Sequence, residues 1–112
     1  MAPEKASLGL VQGTVDVLIL KTLTWSSMHG YGISQWIRER TDGALAVEDA
    51  ALYQALHRLE RKGWVESEWG VSDTNRRAKF YHITRDGKKQ LQADVAALQR
   101  YVEALFKVLQ PA

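Results

Sequence analysis

The chain has no cysteine, so neither a disulfide framework nor a thiolate metal site is open to it. Its uninterrupted apolar runs, such as Val17 to Leu20, fall far short of the roughly 20 residues a membrane helix needs. At the N-terminus Glu4 stands beside Lys5 with no apolar stretch resembling a signal peptide, so a cytoplasmic protein is expected. An excess of one charge is also missing: the net is only +2 over 112 residues, which says little about nucleic acid. No repeat, low-complexity segment or linker divides the chain, and its length suits one domain with a modest core. His29, His57 and His82 fall in three different expected elements, without the paired spacing of a metal site. Gly30-Tyr31-Gly32 lacks the preceding strand and the third glycine of a nucleotide fingerprint, and no serine sits in a Gly-x-Ser-x-Gly elbow. Glu66 and Glu68 share a strand face that solvation explains. No catalytic residue, metal or cofactor is therefore expected, and the chain does not read as an enzyme.

What is present is order. Leu52, Leu56 and Leu59, joined by Ala55, make one apolar stripe of a helix that starts at the acids Glu48 and Asp49 and runs to Lys62. At roughly 100° per residue, Gln54, His57, Arg58 and Arg61 fall on the opposite face. Gly63 stands where a left-handed residue usually ends a helix. Trp64 to Trp69 alternates, with Glu66 and Glu68 on one face and Val65 and Trp69 on the other, as a half-buried strand does. Asp73, Thr74 and Asn75 form a turn, and Ala78 to Thr84 returns as a second strand.

Two further helices precede these elements. The first, Thr14 to Trp25, carries Val15, Leu18, Ile19 and Leu23 on one stripe, and Val17 and Leu20 make it apolar nearly all round; something beyond the domain is expected to cover its outer face. The second, Tyr31 to Thr41, points Ile33, Trp36 and Ile37 inward and ends at the turn Asp42-Gly43. Trp25, Trp36, Trp64 and Trp69 each sit beside an apolar stripe and are expected in the core or an interface.

Although the net charge is small, its distribution is uneven. Residues 1–48 sum to −1, residues 49–89 to +3, and residues 90–112 to zero. Within 74–89, six cations (Arg76, Arg77, Lys79, Arg85, Lys88 and Lys89) face Asp86 alone. A helix offering Gln54, His57, Arg58 and Arg61, beside a hairpin tipped with Arg76, Arg77 and Lys79, suits a groove flanked by phosphates. Tyr53, at the edge of the apolar stripe, fits packing and phosphate contact equally well.

The last helix is expected from Arg85 to Leu109, capped by Thr84. Its apolar residues Leu91, Val95, Leu98, Val102, Leu105 and Leu109 are spaced 4, 3, 4, 3 and 4, a heptad seam. At 1.5 Å per residue the helix is roughly 37 Å long, more than its own small domain needs. A second copy of the chain is the simplest cover for the seam.

With these elements in place the sequence resembles the PadR family of transcriptional regulators, most closely the members with a single short C-terminal helix. The resemblance rests on Val11-Gln12-Gly13-Thr14-Val15-Asp16-Val17-Leu18-Ile19-Leu20-Lys21-Thr22-Leu23 and Met28-His29-Gly30-Tyr31-Gly32-Ile33. It continues through Leu52-Tyr53, Ala55-Leu56-His57-Arg58-Leu59-Glu60, and Asn75-Arg76-Arg77-Ala78-Lys79-Phe80-Tyr81 with Ile83-Thr84 and Gly87. It implies a homodimeric winged-helix protein, usually a repressor, whose third helix enters the major groove and whose wing touches backbone. Two departures stand out. Members usually carry Gly and Ser or Thr before the Leu-Tyr pair and Pro after it, where this chain has Ala50, Ala51 and Gln54. Losing the hydroxyl at Ala51 removes one expected phosphate contact, while Gln54 adds a side chain able to read adenine. Leu98 stands where members often place a tryptophan that in some relatives lines an interface cavity, which argues against an aromatic effector.

The expected fold is thus mainly α with a small β-hairpin: a winged helix-turn-helix over residues 1–84 and a dimerisation helix over residues 85–112, one compact unit. The expected partners are double-stranded DNA, a second copy and a small-molecule effector of unidentified chemistry. The alternative from another class is a winged-helix module that docks proteins without reading DNA.

Overall fold

The computed structural model describes residues 13–111. The Glu4–Lys5 pair, the Val11-Gln12 start of the family-like stretch and Ala112 lie outside them. The chain runs α1 (Thr14–Thr22), β1 (Met28–His29), α2 (Gly30–Arg40), α3 (Asp49–Arg61), β2 (Val65–Val71), β3 (Arg77–Ile83) and α4 (Arg85–Leu109). The strands form an antiparallel sheet in the order β1-β3-β2. The fold is four helices with this small sheet, a winged helix with a long C-terminal helix.

The core sits where α1, α2 and α3 meet the base of the sheet. Ile19, Leu20, Ile33, Ile37, Leu52, Leu56, Leu59 and Val65 are all but fully buried there. The expected stripe of α3 is the buried one, with Leu52, Ala55, Leu56 and Leu59 inward. Val15, Val17 and Leu18 of α1 pack against this core only in part.

Three features differ from the sequence expectation. The first helix ends at Thr22 and not Trp25, because the chain tightens there: Thr24 N–H bonds to Lys21 O and Trp25 N–H to Thr22 O, the i to i−3 pattern of a closing turn. The sheet has a third strand, since Met28 pairs with Tyr81 and His29 with Phe80. Two residues are too few to show an alternation. Of the four tryptophans, Trp36 and Trp64 pack against the core and are partly covered, whereas Trp25 and Trp69 are outside it, each 59% exposed. Each lies under a cation. Arg40 stacks on Trp25 and Trp36, Lys62 on Trp64, and Arg77 on Trp69.

Thr84 joins the sheet to α4. Its hydroxyl accepts from Gly87 N–H at 3.0 Å as the helix cap and donates to Gly63 O at 2.7 Å, tying the new helix to the end of α3. Losing such a cap costs about 1–2 kcal/mol. Thr84→Ala should lower the melting temperature by roughly 5–10 °C, and Thr84→Ser should restore most of it; equal melting of all three proteins would show that the cap does not matter.

The apolar residues of α4 divide along its length. Leu91 is buried in the chain's own core and Val95 packs against that core, so the first turns of the expected seam are covered within the chain. Leu98 is half-buried beside α1, lining a groove with Val17, Trp64 and Tyr101. From Gln99 onward every residue of the helix is exposed, including Val102, Leu105 and Leu109. No helix among the described residues is long and apolar enough to cross a membrane.

Candidate nucleic-acid interface

The stop at the end of α3 sets the wing's starting point. Gly63 takes φ 78°, its N–H bonds back to Glu60 O, and Trp64 N–H bonds to Leu59 O. This paired closure needs a left-handed residue, which glycine adopts without a steric penalty. It turns the chain straight into β2. The hairpin then pairs from Val65 with Ile83 at its base to Val71 with Arg77 at its tip. Asn75, at φ 61°, closes the tip: its N–H bonds to Ser72 O, and Ser72 N–H bonds to Arg76 O.

Along one face of the hairpin lie Val65, Ser67, Trp69 and Val71, opposite Ile83, Tyr81, Lys79 and Arg77. Cover falls away from base to tip. Val65 is buried, Ser67 is half-buried and donates to Glu60 Oε2 of α3 at 2.6 Å, and Trp69 and Val71 are exposed. The tip half of the hairpin, with the start of α2 and Tyr53, walls a concavity of about 1020 Å³.

Of the expected site residues, Tyr53, Arg76, Arg77 and Lys79 all line this concavity. Gln54, His57 and Arg61 stand exposed on α3 and do not line it; among the described residues none of the three makes a side-chain hydrogen bond or ion pair. Arg58 differs from the expectation of a free cation. Its guanidinium pairs with Asp16 of α1 at 2.6 Å, bridging 42 positions and linking α3 to α1. Half-exposed, such a pair contributes about 1 kcal/mol or less.

The three wing cations are not equivalent. Arg76 is exposed and has no side-chain partner among the described residues. Lys79 is drawn toward Glu60, 4.0 Å away, and lies above the Tyr81 ring. The Arg77 guanidinium sits 4.7 Å from the centroid of the Trp69 ring, with no acid beside it among the described residues. Burial, with Glu60 and then Tyr53 adding to it, raises the Tyr81 hydroxyl above the ordinary tyrosine value of 10.0, so it is a neutral group at neutral pH.

Tyr53 packs and faces the concavity at once. Its hydroxyl end lies so close to Gly30 that a Cβ there would overlap the ring, yet the side chain remains about half exposed. His29 completes this wall by capping α2, its Nδ1 accepting from Gly32 N–H at 2.9 Å. Sequence reasoning did not select His29, Gly30, Tyr31 or Trp69 for this surface. The compact Gly30-Tyr31-Gly32 stretch was the only signal for the first three: glycine marks places where another group approaches the backbone closely.

A helix with a polar outer face, continued at once by a cation-tipped wing, defines a winged helix-turn-helix. Residues 19–93 match the transcriptional regulator PadR-like family, and the chain belongs to that family of transcriptional regulators. It is 39% identical over 83 residues to a protein of Lysinibacillus sphaericus described as "Uncharacterized protein X", covering 73% of this chain and 75% of that one. Among solved structures it is similar to a transcriptional regulator from Clostridium thermocellum, with TM-score 0.82 and 31% identity over 88% of this chain and 96% of that chain. A PadR family transcription regulator from Clostridium difficile superimposes with TM-score 0.75 at 27% identity, covering 88% of this chain and all of the other.

Proposed function

We propose that this protein is a sequence-specific DNA-binding repressor that acts in the cytoplasm and grips its operator as a homodimer. The observation that carries the reading is the exposed row Gln54, His57 and Arg61 on α3, set beside a wing whose Arg76 and Arg77 have no acid partner among the described residues. In a chain of the PadR-like family that surface suits α3 in the major groove, with Gln54 and His57 on base edges and Arg61 on phosphate. Tyr53, Arg76, Arg77 and Lys79 contact backbone, and Arg58 joins them only by leaving Asp16. No metal or cofactor enters this reading. Leu98, in place of a tryptophan, argues against an aromatic effector and leaves open a small-molecule effector of other chemistry.

Residues up to 84 form the DNA-reading unit and residues 85–112 the dimerisation helix. The exposed end of α4 supports this division, since Tyr101, Val102, Leu105, Phe106, Val108 and Leu109 are exposed to between 39% and 81%. At 100° per residue they spread over roughly 160° of the helix. That is wider than a two-stranded seam, and suits a partner presenting both its own α4 and the groove beside its α1.

The base-reading claim is tested by His57→Ala and Gln54→Ala. Each should remove about 1–3 kcal/mol of discrimination between preferred and random duplex, with little change in random-duplex affinity. A uniform loss on all sequences would make these residues phosphate contacts. Binding that ignored duplex and salt altogether would favour the protein-docking alternative.

A further inference from the structure

From the geometry we infer that Trp69 is a positioning residue for DNA binding: its indole face holds Arg77 extended along the concave side of the wing, aimed at the duplex backbone. The inference rests on the proposed DNA-reading function and goes further, because it separates the wing cations by how each is held.

Four observations support it. Trp69 lies on the tip half of the hairpin, beyond half-buried Ser67, and at 59% exposure it serves no core. The Arg77 guanidinium stacks on its ring at 4.7 Å, and no acid competes for the guanidinium among the described residues. Trp69 and Arg77 line the same concavity as Tyr53 and Lys79, on the wall facing the start of α2. The neighbouring cations are held otherwise: Lys79 leans to Glu60, and Arg76 has no side-chain partner among the described residues.

The physical consequence follows from how arginine stacks. A guanidinium lying on an aromatic face keeps its N–H donors at the rim, directed outward in the plane of the fork. A free arginine loses rotamer freedom when it settles on a phosphate, whereas one already laid along an indole has lost much of it before DNA arrives. Trp69 therefore adds affinity without adding charge. This distinguishes positioning from a direct ionic contact, because salt dependence counts neutralised phosphates and not their preorganisation.

The test is binding to a mixed-sequence duplex across a salt series, for the full chain and four variants. Arg77→Ala should weaken binding and flatten the slope of log affinity against log salt by roughly 1.8 for a dimer, at about 0.9 per phosphate. Trp69→Leu should weaken binding about three-fold per wing, or about ten-fold for two, the scale of an exposed cation–π contact, with the slope unchanged. Trp69→Phe, which keeps an aromatic face, should recover most of the loss. Trp69→Leu added to Arg77→Ala should have no further effect. If Trp69→Leu binds like wild type while Arg77→Ala does not, the positioning role is wrong and the DNA-facing wing stands. If Trp69→Leu flattens the slope along with the affinity, the tryptophan only keeps the wing folded, and the inference is overturned. If Arg77→Ala changes nothing, Arg77 does not meet DNA and the inference is overturned, while Arg76 and Lys79 leave the DNA-reading function to be decided by the double Arg76→Ala, Arg77→Ala variant.

Discussion

Val102→Glu is expected to turn the protein from a dimer into a monomer and to remove most of its operator affinity. Val102 is one of the exposed apolar residues on the uncovered end of α4, beyond the point where the helix leaves its own domain. Across a two-fold axis the substitution sets a carboxylate against its symmetry mate in an apolar seam, at a cost of roughly several kcal/mol. Because the position packs on nothing in its own chain's core, the monomer should keep its fold and melting behaviour. Joining two half-site readers makes the second contact intramolecular, so separating them should lower affinity by about 10²–10⁴-fold. Light scattering at tens of micromolar checks the first claim and operator titration the second. A wild-type protein that is already monomeric at that concentration would refute the seam. Leu98 is less suited to this experiment, since it is half-buried beside α1 and a charge there would disturb the monomer too.

Removing both wing-tip arginines should change the salt dependence more than any other substitution. Arg76→Ala with Arg77→Ala takes up to four cations from a dimer with two wings. If all four sit on phosphates, the slope of log affinity against log salt becomes shallower by roughly 3.6. Affinity should fall alike on specific and random duplex, leaving their ratio nearly unchanged, because phosphate contacts carry little sequence information. An unchanged slope would remove the wing from the interface. A collapsed ratio would mean that an arginine enters the minor groove, where narrow A-tracts attract it.

These tests follow a division between what the sequence states locally and what only the fold brings together. The bounds of α4 could be read directly, because Thr84 supplies a capping hydroxyl and an apolar residue recurs every three or four positions until Pro111. The buried stripe and the glycine stop of α3 could be read for the same reason. Leu91 looked no different from Leu105, although one is buried in the domain and the other is exposed: the repeat records which residues face one side of the helix, not what covers that side. Asp16 and Arg58 lie 42 positions apart among many possible partners, so nothing local announces their pair. The alternation of β2 gives the side on which Trp69 lies, but not that cover on this side falls away beyond Ser67. Tyr53 was ambiguous because only the path of α2 brings Gly30 under its ring.

The central claim, that this chain reads sequence in duplex DNA as a two-fold assembly, is tested most directly by selecting bound fragments from a random duplex pool. The wild-type protein should enrich an inverted repeat whose half-site centres lie about one helical turn, or a multiple of it, apart. His57→Ala and Gln54→Ala should blur positions within each half-site without changing their spacing. A pool that returns no enriched sequence, while the protein binds duplex at low salt, would contradict the account.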